Sequence, residues 1–265
     1  MIDLNQHLVL IRGAGEMASA VGVVLHRVGF PVILTELPIP QAIRRTVCFS
    51  DAMLNASTTV EGIEAVNADY YNYLNVLKSD KIPVLPDSIE IIRNIKPEFL
   101  IDARMLKKSV NDQRSFAQFT VGLGPGFTVE ENCDAVIETM RGHNLGRVIW
   151  QGGASLNSGI PGEIGGESVK RVIYSKKDGR INWSVNFGDI VQQNQILGKL
   201  GDIAIRSQIS GKIRGLISPK VNITKRMKIA DVDPRGADVD HTTISDKARC
   251  VGRGVLVANM IHLNQ

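Results

Sequence analysis

Residues 8–36, LVLIRGAGEMASAVGVVLHRVGFPVILTE, read as a strand, a glycine turn, a helix and a second strand in unbroken succession. The apolar run Leu8-Val9-Leu10-Ile11 is short and β-branched, which suits a strand buried on both faces. Gly13 and Gly15 follow directly, and Ala18 fills the third slot of a G-x-G-x-x-G/A fingerprint. Small residues at these positions permit a tight turn, close approach of the backbone to a pyrophosphate, and close packing of helix on strand. Met17, Val21, Val24, Leu25 and Val28 recur at helical spacing, and Gly29 ends the helix. Val32-Ile33-Leu34 is the second strand. Glu36 stands just past its end, where an acid takes the ribose hydroxyls of a dinucleotide. The same residues also have a purely architectural reading, in which the glycines serve helix-on-sheet packing and Glu36 is a solvated loop acid. Glu16, in the first helical turn, suits the helix dipole but repels a phosphate bound there.

Composition narrows the classes around this unit. A net charge of +4 from 31 basic and 27 acidic residues is too balanced for a nucleic-acid binder. No apolar run reaches the roughly 18 residues that a membrane span requires, and no signal-type segment precedes the first strand, so a cytoplasmic protein is expected. Cys48, Cys133 and Cys250 are odd in number, far apart and without C-x-x-C spacing. Buried free thiols are therefore expected, with neither a disulfide framework nor a metal site.

Beyond Glu36 the prolines at 38 and 40 force a turn. Arg44 and Arg45 follow, a pair able to neutralise phosphate, including the 2′-phosphate of NADP, or to stand solvated on a short helix. Residues 46–49 and 59–66 are β-prone, residues 69–78 helical, and residues 82–85 a strand. Asp87 with Glu90 forms a D-x-x-E helix start. Phe99-Leu100-Ile101 is a further buried strand ending at Asp102, followed by Arg104. In an open parallel sheet, ligands bind outside the carboxyl ends of the strands, so Gly13, Glu36 and Asp102 are expected to share one crevice, with Arg104 an anion contact beside it. The glycine-rich turn at 122–127 is either an anion nest or a tight connection.

From here the alternation of strands and helices weakens. Residues 135–140 and 147–150 predict two strands joined by a basic turn that carries Arg141, an anion clamp, and His143, an acid or base. Residues 152–166 contain six glycines and Pro161, a long loop of the kind that is often functional. Short strands at regular intervals follow, with a hairpin expected at Asp178-Gly179 between residues 169–174 and 181–185. The run from Gly188 to Ile229 resembles a biotinyl or lipoyl-type barrel-sandwich module. Its corresponding turn is Gly201-Asp202, and the nearest lysine, Lys199, falls on the preceding strand, so no covalent biotin or lipoate is expected. Asp231 and Asp233 point the same way on a strand and offer at most a weak cation site. Ser245-Asp246 starts a final helix with Ala248, Val251, Val255 and Ala258 on one stripe. Gly252 and Gly254 weaken it, which a closely packed backbone, for instance across a homo-oligomer interface, would explain.

The expected fold is α/β, a Rossmann-like parallel sheet followed by a mostly β region with the barrel-sandwich module and a C-terminal helix. The corresponding regions are 1–130 for nucleotide binding, 131–180 as connection, 181–236 for the module and 237–265 for the helix. Taken in order, IRGAGEMASAV, TELPIPQAIRRTVCFSDAM, VGLGPGF, DAVIETMRGHNLGRVIWQG, NSGIPGEIGG, SGKIRGLI and KIADVDPRG resemble the YqeB-like accessory family of selenium-dependent molybdenum hydroxylase systems. The resemblance implies a cytoplasmic factor that accompanies hydroxylase maturation, with the apo-enzyme or its cofactor-insertion machinery as partner. It transfers no catalytic residue. Three functions stay open: an accessory factor binding a nucleotide or pterin nucleotide through Gly13, Gly15, Ala18 and Glu36; an NAD(P)-dependent oxidoreductase with Asp102 or His143 as proton donor; and a non-catalytic docking platform.

Overall fold

The computed structural model of the chain describes residues 2–157 and 159–265; Met1, and Ser158 within the glycine-rich stretch, lie outside the described residues. Two compact units divide it, one of residues 2–38, 48–157 and 244–265, the other of residues 39–47 and 159–243. The architecture is mixed α/β, with a large mixed sheet and the C-terminal helix in the first unit and antiparallel sheets in the second. No helix among the described residues is long and apolar enough to cross a membrane.

In the first unit the chain runs through β1 (Val9–Arg12), α1 (Glu16–Arg27), β2 (Val32–Glu36), α2 (Ala52–Asn55), β3 (Ser57–Val60), β4 (Ile63–Asn67), α3 (Tyr73–Lys78), β5 (Ile82–Pro86), α4 (Ile89–Ile95), β6 (Phe99–Asp102), β7 (Phe119–Leu123), β8 (Ala135–Ile137), β9 (Val148–Ile149) and finally α5 (Asp246–Leu263). The strands order as β3-β4-β5-β2-β1-β6-β7-β8-β9. Every pairing from β4 to β8 is parallel, while β3 and β9 close the edges antiparallel. The chain thus starts mid-sheet, builds one side, then returns to build the other. The order reverses between β1 and β6, whose last residues Arg12 and Asp102 are in register.

Both faces are covered, which is why the central strands read as continuous apolar runs. Leu10, Ile33, Leu85 and Leu100 point to a core completed by Tyr73 of α3 and by Ile92 and Ile95 of α4. On the other face α1 lies over Ile11 and Leu34, whose side chains approach Gly22. Helix α5 packs on α1 through its buried stripe of Ala248, Val251, Val255 and Ala258. The two glycines of α5 have their reason within the chain. A Cβ on Gly252 would stand 2.9 Å from the Ala20 carbonyl of α1, and one on Gly254 would stand 2.3 Å from that of Gly146.

Two local expectations are corrected by hydrogen bonding. Residues 46–49, β-prone in sequence, fall in short 3-10 turns, Arg45–Val47 and Phe49–Asp51. The Phe49 N–H donates to Ser19 Oγ and the Ser50 N–H to the Ala14 carbonyl, so α1 and the glycine turn take the bonds a neighbouring strand would have taken. Asp87 does not cap α4. Ser88 does, accepting from the Ile91 N–H at 3.4 Å, and Asp87 is left to pair with Arg12.

The second unit contains β10 (Val172–Tyr174), β11 (Ile181–Trp183), β12 (Ile190–Val191), β13 (Ile196–Leu200), β14 (Ile203–Arg206), β15 (Gly211–Leu216) and β16 (Lys228–Asp233). They form a four-stranded sheet, β10-β16-β15-β12, and a three-stranded one, β11-β13-β14. Their apolar faces share one core that includes Val191, Leu197, Leu200, Ile213, Ile217 and Val232. The hairpin expected at Asp178-Gly179 is not formed: β10 pairs with β16 and β11 with β13, in different sheets. The Gly179 N–H bonds the Ile223 carbonyl instead. Strands β13 and β14 do form a hairpin around Gly201-Asp202, with Lys199 on β13.

Asp231 and Asp233, considered above for a cation, are satisfied by arginines. Asp231 accepts from Arg171 at 2.5 Å and from Arg214 at 2.5 and 2.9 Å; Asp233 takes Arg214 at 2.9 Å and Arg235 at 2.8 Å. Burial pushes the Asp233 carboxyl up, but Arg235 and Arg214 together hold it below the usual carboxylate range.

Candidate functional site at the carboxyl edge of the large sheet

The strand β1 delivers the chain to Gly13 at the point where the strand order reverses. Gly13 has φ +94°, and a Cβ there would lie 3.3 Å from the Ala103 carbonyl, so both conformation and space require glycine. Its N–H donates to the Thr35 carbonyl, and the Ala103 N–H to that of Arg12, which fixes the turn between β2 and β6. Gly15 differs. It is the N-cap of α1 in extended conformation, and a Cβ built on it meets nothing within 4 Å. Ala18 is fully buried beneath the turn. Ser19 Oγ and the Ser50 N–H both donate to the Ala14 carbonyl, holding the turn from below.

Glu36, at the end of β2, closes over the same turn. Its carboxylate accepts from the Ala14 N–H at 2.9 Å and from the Leu37 N–H at 2.8 Å. Burial pushes its pKa up, and the charge of Asp87 adds to this, so the shift is upward despite the two backbone donors. It is therefore no solvated loop acid.

Beside it, the carboxyl ends of β1, β2, β5 and β6 carry a buried polar network. Arg12 grips Asp87 in bidentate fashion, at 3.1 and 2.7 Å, and Thr35 donates to the same carboxylate at 2.7 Å. The amide of Gln113 joins the two halves, accepting from Arg12 and donating to Asp102. Arg104 wraps Asp102 through its backbone N–H and its guanidinium. Arg12, Thr35, Asp87 and Asp102 continue, two positions on, the sheet face that carries Leu10, Ile33, Leu85 and Leu100, which is how an apolar core face becomes polar at its rim.

A second charged group gathers on the α1 and α5 side. Glu16 Oε1 accepts from the Ser245 N–H, the N-cap of α5, at 3.3 Å. Arg141 forms a bidentate pair with Asp246 at 2.6 and 2.8 Å. Glu138 is buried; burial pushes its carboxyl up, but the N–H groups of Met140 and Ser155 hold it below the usual range. Among them stands Lys247, half-buried, whose pKa burial pushes down.

The sequence-predicted residues thus separate. Gly13, Gly15, Ala18 and Glu36 come together at the turn, with Asp102 and Arg104 across the reversal point. Arg141 is drawn to α5, and His143 is exposed on the turn between β8 and β9. Arg44 and Arg45 belong to the second unit, where Arg44 donates to the Thr243 carbonyl and Arg45 lies over the Phe187 ring. The glycines at 124 and 126 answer to the chain's own contacts, since Cβ atoms there would meet Thr139 at 2.4 Å and the Lys108 carbonyl at 2.2 Å. That makes the 122–127 turn a tight connection. Sequence reading missed Arg12, Gln113, Glu138 and Lys247. Only Arg12, a charge ending an otherwise apolar strand, left a signal.

Among the described residues no three His, Cys, Asp or Glu side chains gather as metal ligands. Cys48 and Cys133 are buried and Cys250 half-buried, with its Sγ on the Leu145 carbonyl. Burial pushes the Cys133 thiol up to about 12. Ellman titration at pH 8 is expected to find Cys250 reacting first, and Cys133 only after denaturant is added.

No family model matches the chain. Among solved structures, the product-bound ectoine utilization protein EutE (DoeB) from Ruegeria pomeroyi overlaps 84% of this chain and 56% of its own, at 10% identity and a TM-score of 0.23. A succinylglutamate desuccinylase from Silicibacter overlaps 86% and 85%, at 11% identity and a TM-score of 0.24. Scores this low carry no assignment of fold or function. In sequence, the uncharacterized protein YqeB of Escherichia coli strain K12 is 39% identical over 263 residues, 98% of this chain and 49% of its own length. The chain therefore spans about half the length of the curated relative it matches. Identity sustained over nearly the whole chain makes it a homologue of that part of YqeB and supports a YqeB-like family.

Proposed function

We propose that this chain is an accessory factor in the maturation of a selenium-dependent molybdenum hydroxylase, and that its glycine turn holds a nucleotide or pterin nucleotide by the phosphates. The run β5-β2-β1-β6-β7-β8 has the order of a Rossmann-like sheet, and the turn lies at its reversal point, where such sheets take their ligands. The observation that carries the reading is the contrast between the two glycines. Gly13 is explained by the chain's own packing, whereas Gly15 is small with open space before it. A phosphate approaching the first-turn amides of α1, which have no intrahelical acceptors, needs that space. Glu36 supplies a carboxylate for ribose hydroxyls at the end of β2. The resemblance carried by the sequence blocks quoted above is what suggests the maturation role; the YqeB homologue bears on the family alone. In the second unit the two antiparallel sheets around one core are in keeping with a barrel-sandwich-like module that docks the apo-hydroxylase or its insertion machinery.

The oxidoreductase reading has less support. The Asp102 carboxylate is occupied by Arg104 and Gln113, and His143 is exposed on its turn.

Isothermal titration with NAD, NADP, CTP and molybdopterin nucleotides tests the reading. One of them is expected to bind, and Gly15→Val to weaken it at least about tenfold, since a methyl-bearing Cβ would fill the phosphate's path. The same variant should lose only about 1 kcal/mol of stability, the scale of an altered N-cap. Wild-type protein that binds none of the four would remove the ligand from the proposal.

A further inference from the structure

Lys247 is the one group of the α1 and α5 cluster whose surroundings do not account for it. The residue is half-buried, yet it has no hydrogen bond or ion pair among the described residues. The acids that act on it, Glu16 and Glu138, accept from the backbone N–H groups of Ser245 and of Met140 and Ser155 and make no ion pair with it, while its neighbour Asp246 pairs with Arg141. The remaining charges facing it are cations, Arg141 and Lys107, which with burial outweigh the pull of Glu16 and Glu138. A desolvated cation without a partner is costly, and a bound anion removes that cost. Lys247 stands in the first turn of α5, whose N-cap touches Glu16, and Glu16 follows Gly15 directly. A phosphate at Gly15 would meet the Glu16 carboxylate, and Lys247, two residues beyond the Ser245 N–H that Glu16 holds, feels the charge of that carboxylate.

We propose that Lys247 is the cation that holds the ligand's phosphate at the glycine turn and offsets the repulsion of Glu16. This deepens the nucleotide reading and rests on it for the identity of the ligand. Arg141 cannot substitute, because Asp246 takes both arms of its guanidinium.

The test uses wild-type protein first. Pyridoxal phosphate carries a phosphate and an aldehyde; its carbonyl condenses with an unprotonated amine, losing water to give an imine. Borohydride then adds hydride to the imine carbon while solvent protonates nitrogen, fixing the label for peptide mapping. Lys247 is expected to label ahead of Lys107 near pH 8, and inorganic pyrophosphate to protect it. Titration of ADP should then show Lys247→Ala weaker by roughly 10- to 100-fold and Lys247→Arg largely restored, as for loss of a charged hydrogen bond. Labelling that pyrophosphate leaves unchanged would overturn the proposal. So would ADP binding equally to wild type and Lys247→Ala, an outcome that leaves the nucleotide reading standing. Protection by pyrophosphate in a protein that binds no nucleotide does the reverse: the anion site stands and the nucleotide reading falls.

Discussion

Asp231→Ala is expected to destabilise the chain by about 3–5 kcal/mol, the scale for removing one partner from a buried ion cluster. Asp231 is 1% exposed and neutralises two arginines at once, Arg171 and Arg214, themselves 7% and 5% exposed. Without it both guanidinium groups stay in the strand layer, with only Asp233 left to share Arg214. The effect should reach beyond the sheet. Arg171 also donates to the Gly162 carbonyl, so its carboxylate partner indirectly fixes the glycine-rich stretch. Urea unfolding followed by circular dichroism measures the first effect, and amide exchange around residues 160–166 the second. Asp231→Asn, which keeps acceptors but loses charge, should fall between the variant and wild type. A loss under about 1 kcal/mol for the alanine variant would contradict this account, since that is the range of exposed pairs.

Asp87→Ala should cost a comparable amount, again about 3–5 kcal/mol, in the first unit. Arg12 is 6% exposed, and Asp87 is its bidentate partner; the remaining contact, to Gln113, carries no charge. The same carboxylate should show itself in acid. Burial pushes it up, but the hydrogen bonds and charge of Arg12, with Thr35 and Arg104, hold its pKa below the usual value. A carboxyl depressed in the folded state contributes stability that is complete above its unfolded pKa and disappears as pH falls through the folded one. The wild-type stability curve should therefore drop below about pH 4, and the drop should be shallower in Asp87→Asn. Glu36 acts oppositely. Its raised pKa makes folding less favourable as pH rises through that value, so Glu36→Gln should remove that part of the pH dependence, while leaving one of the Ala14 and Leu37 N–H groups without its acceptor and losing affinity for a ribose-bearing ligand.

What could be read from sequence follows the range of the interactions involved. The strand, turn and helix of residues 9–27, and α5 with its Ser245 cap, depend on contacts within a few residues, and local periodicity carries them. The pairing of Asp87 with Arg12 joins residues 75 positions apart. Until the sheet order brings β5 and β1 close, Asp87 reads most simply as the cap that Ser88 turns out to be. The hairpin at Asp178-Gly179 misled for the same reason: the turn chemistry is local, but the strands on either side find better partners in two different sheets. Arg104 and Arg141 were legible as cations and Asp102 and Asp246 as acids, but not that these acids take the arginines. Lys247 left no trace at all, because its meaning lies in which neighbours are already engaged.

The packing of α5 on α1 also sets a timetable. Helix α1, covered by α5, must wait during synthesis until residues beyond 246 have left the ribosome. At ordinary translation rates that delay is on the order of 10 to 40 s, with the α1 surface around Ala20 and Val24, against which Gly252 packs, uncovered throughout. The emerging chain thus presents a long-lived client surface to chaperones, and its first unit reaches its final form only once α5 has emerged.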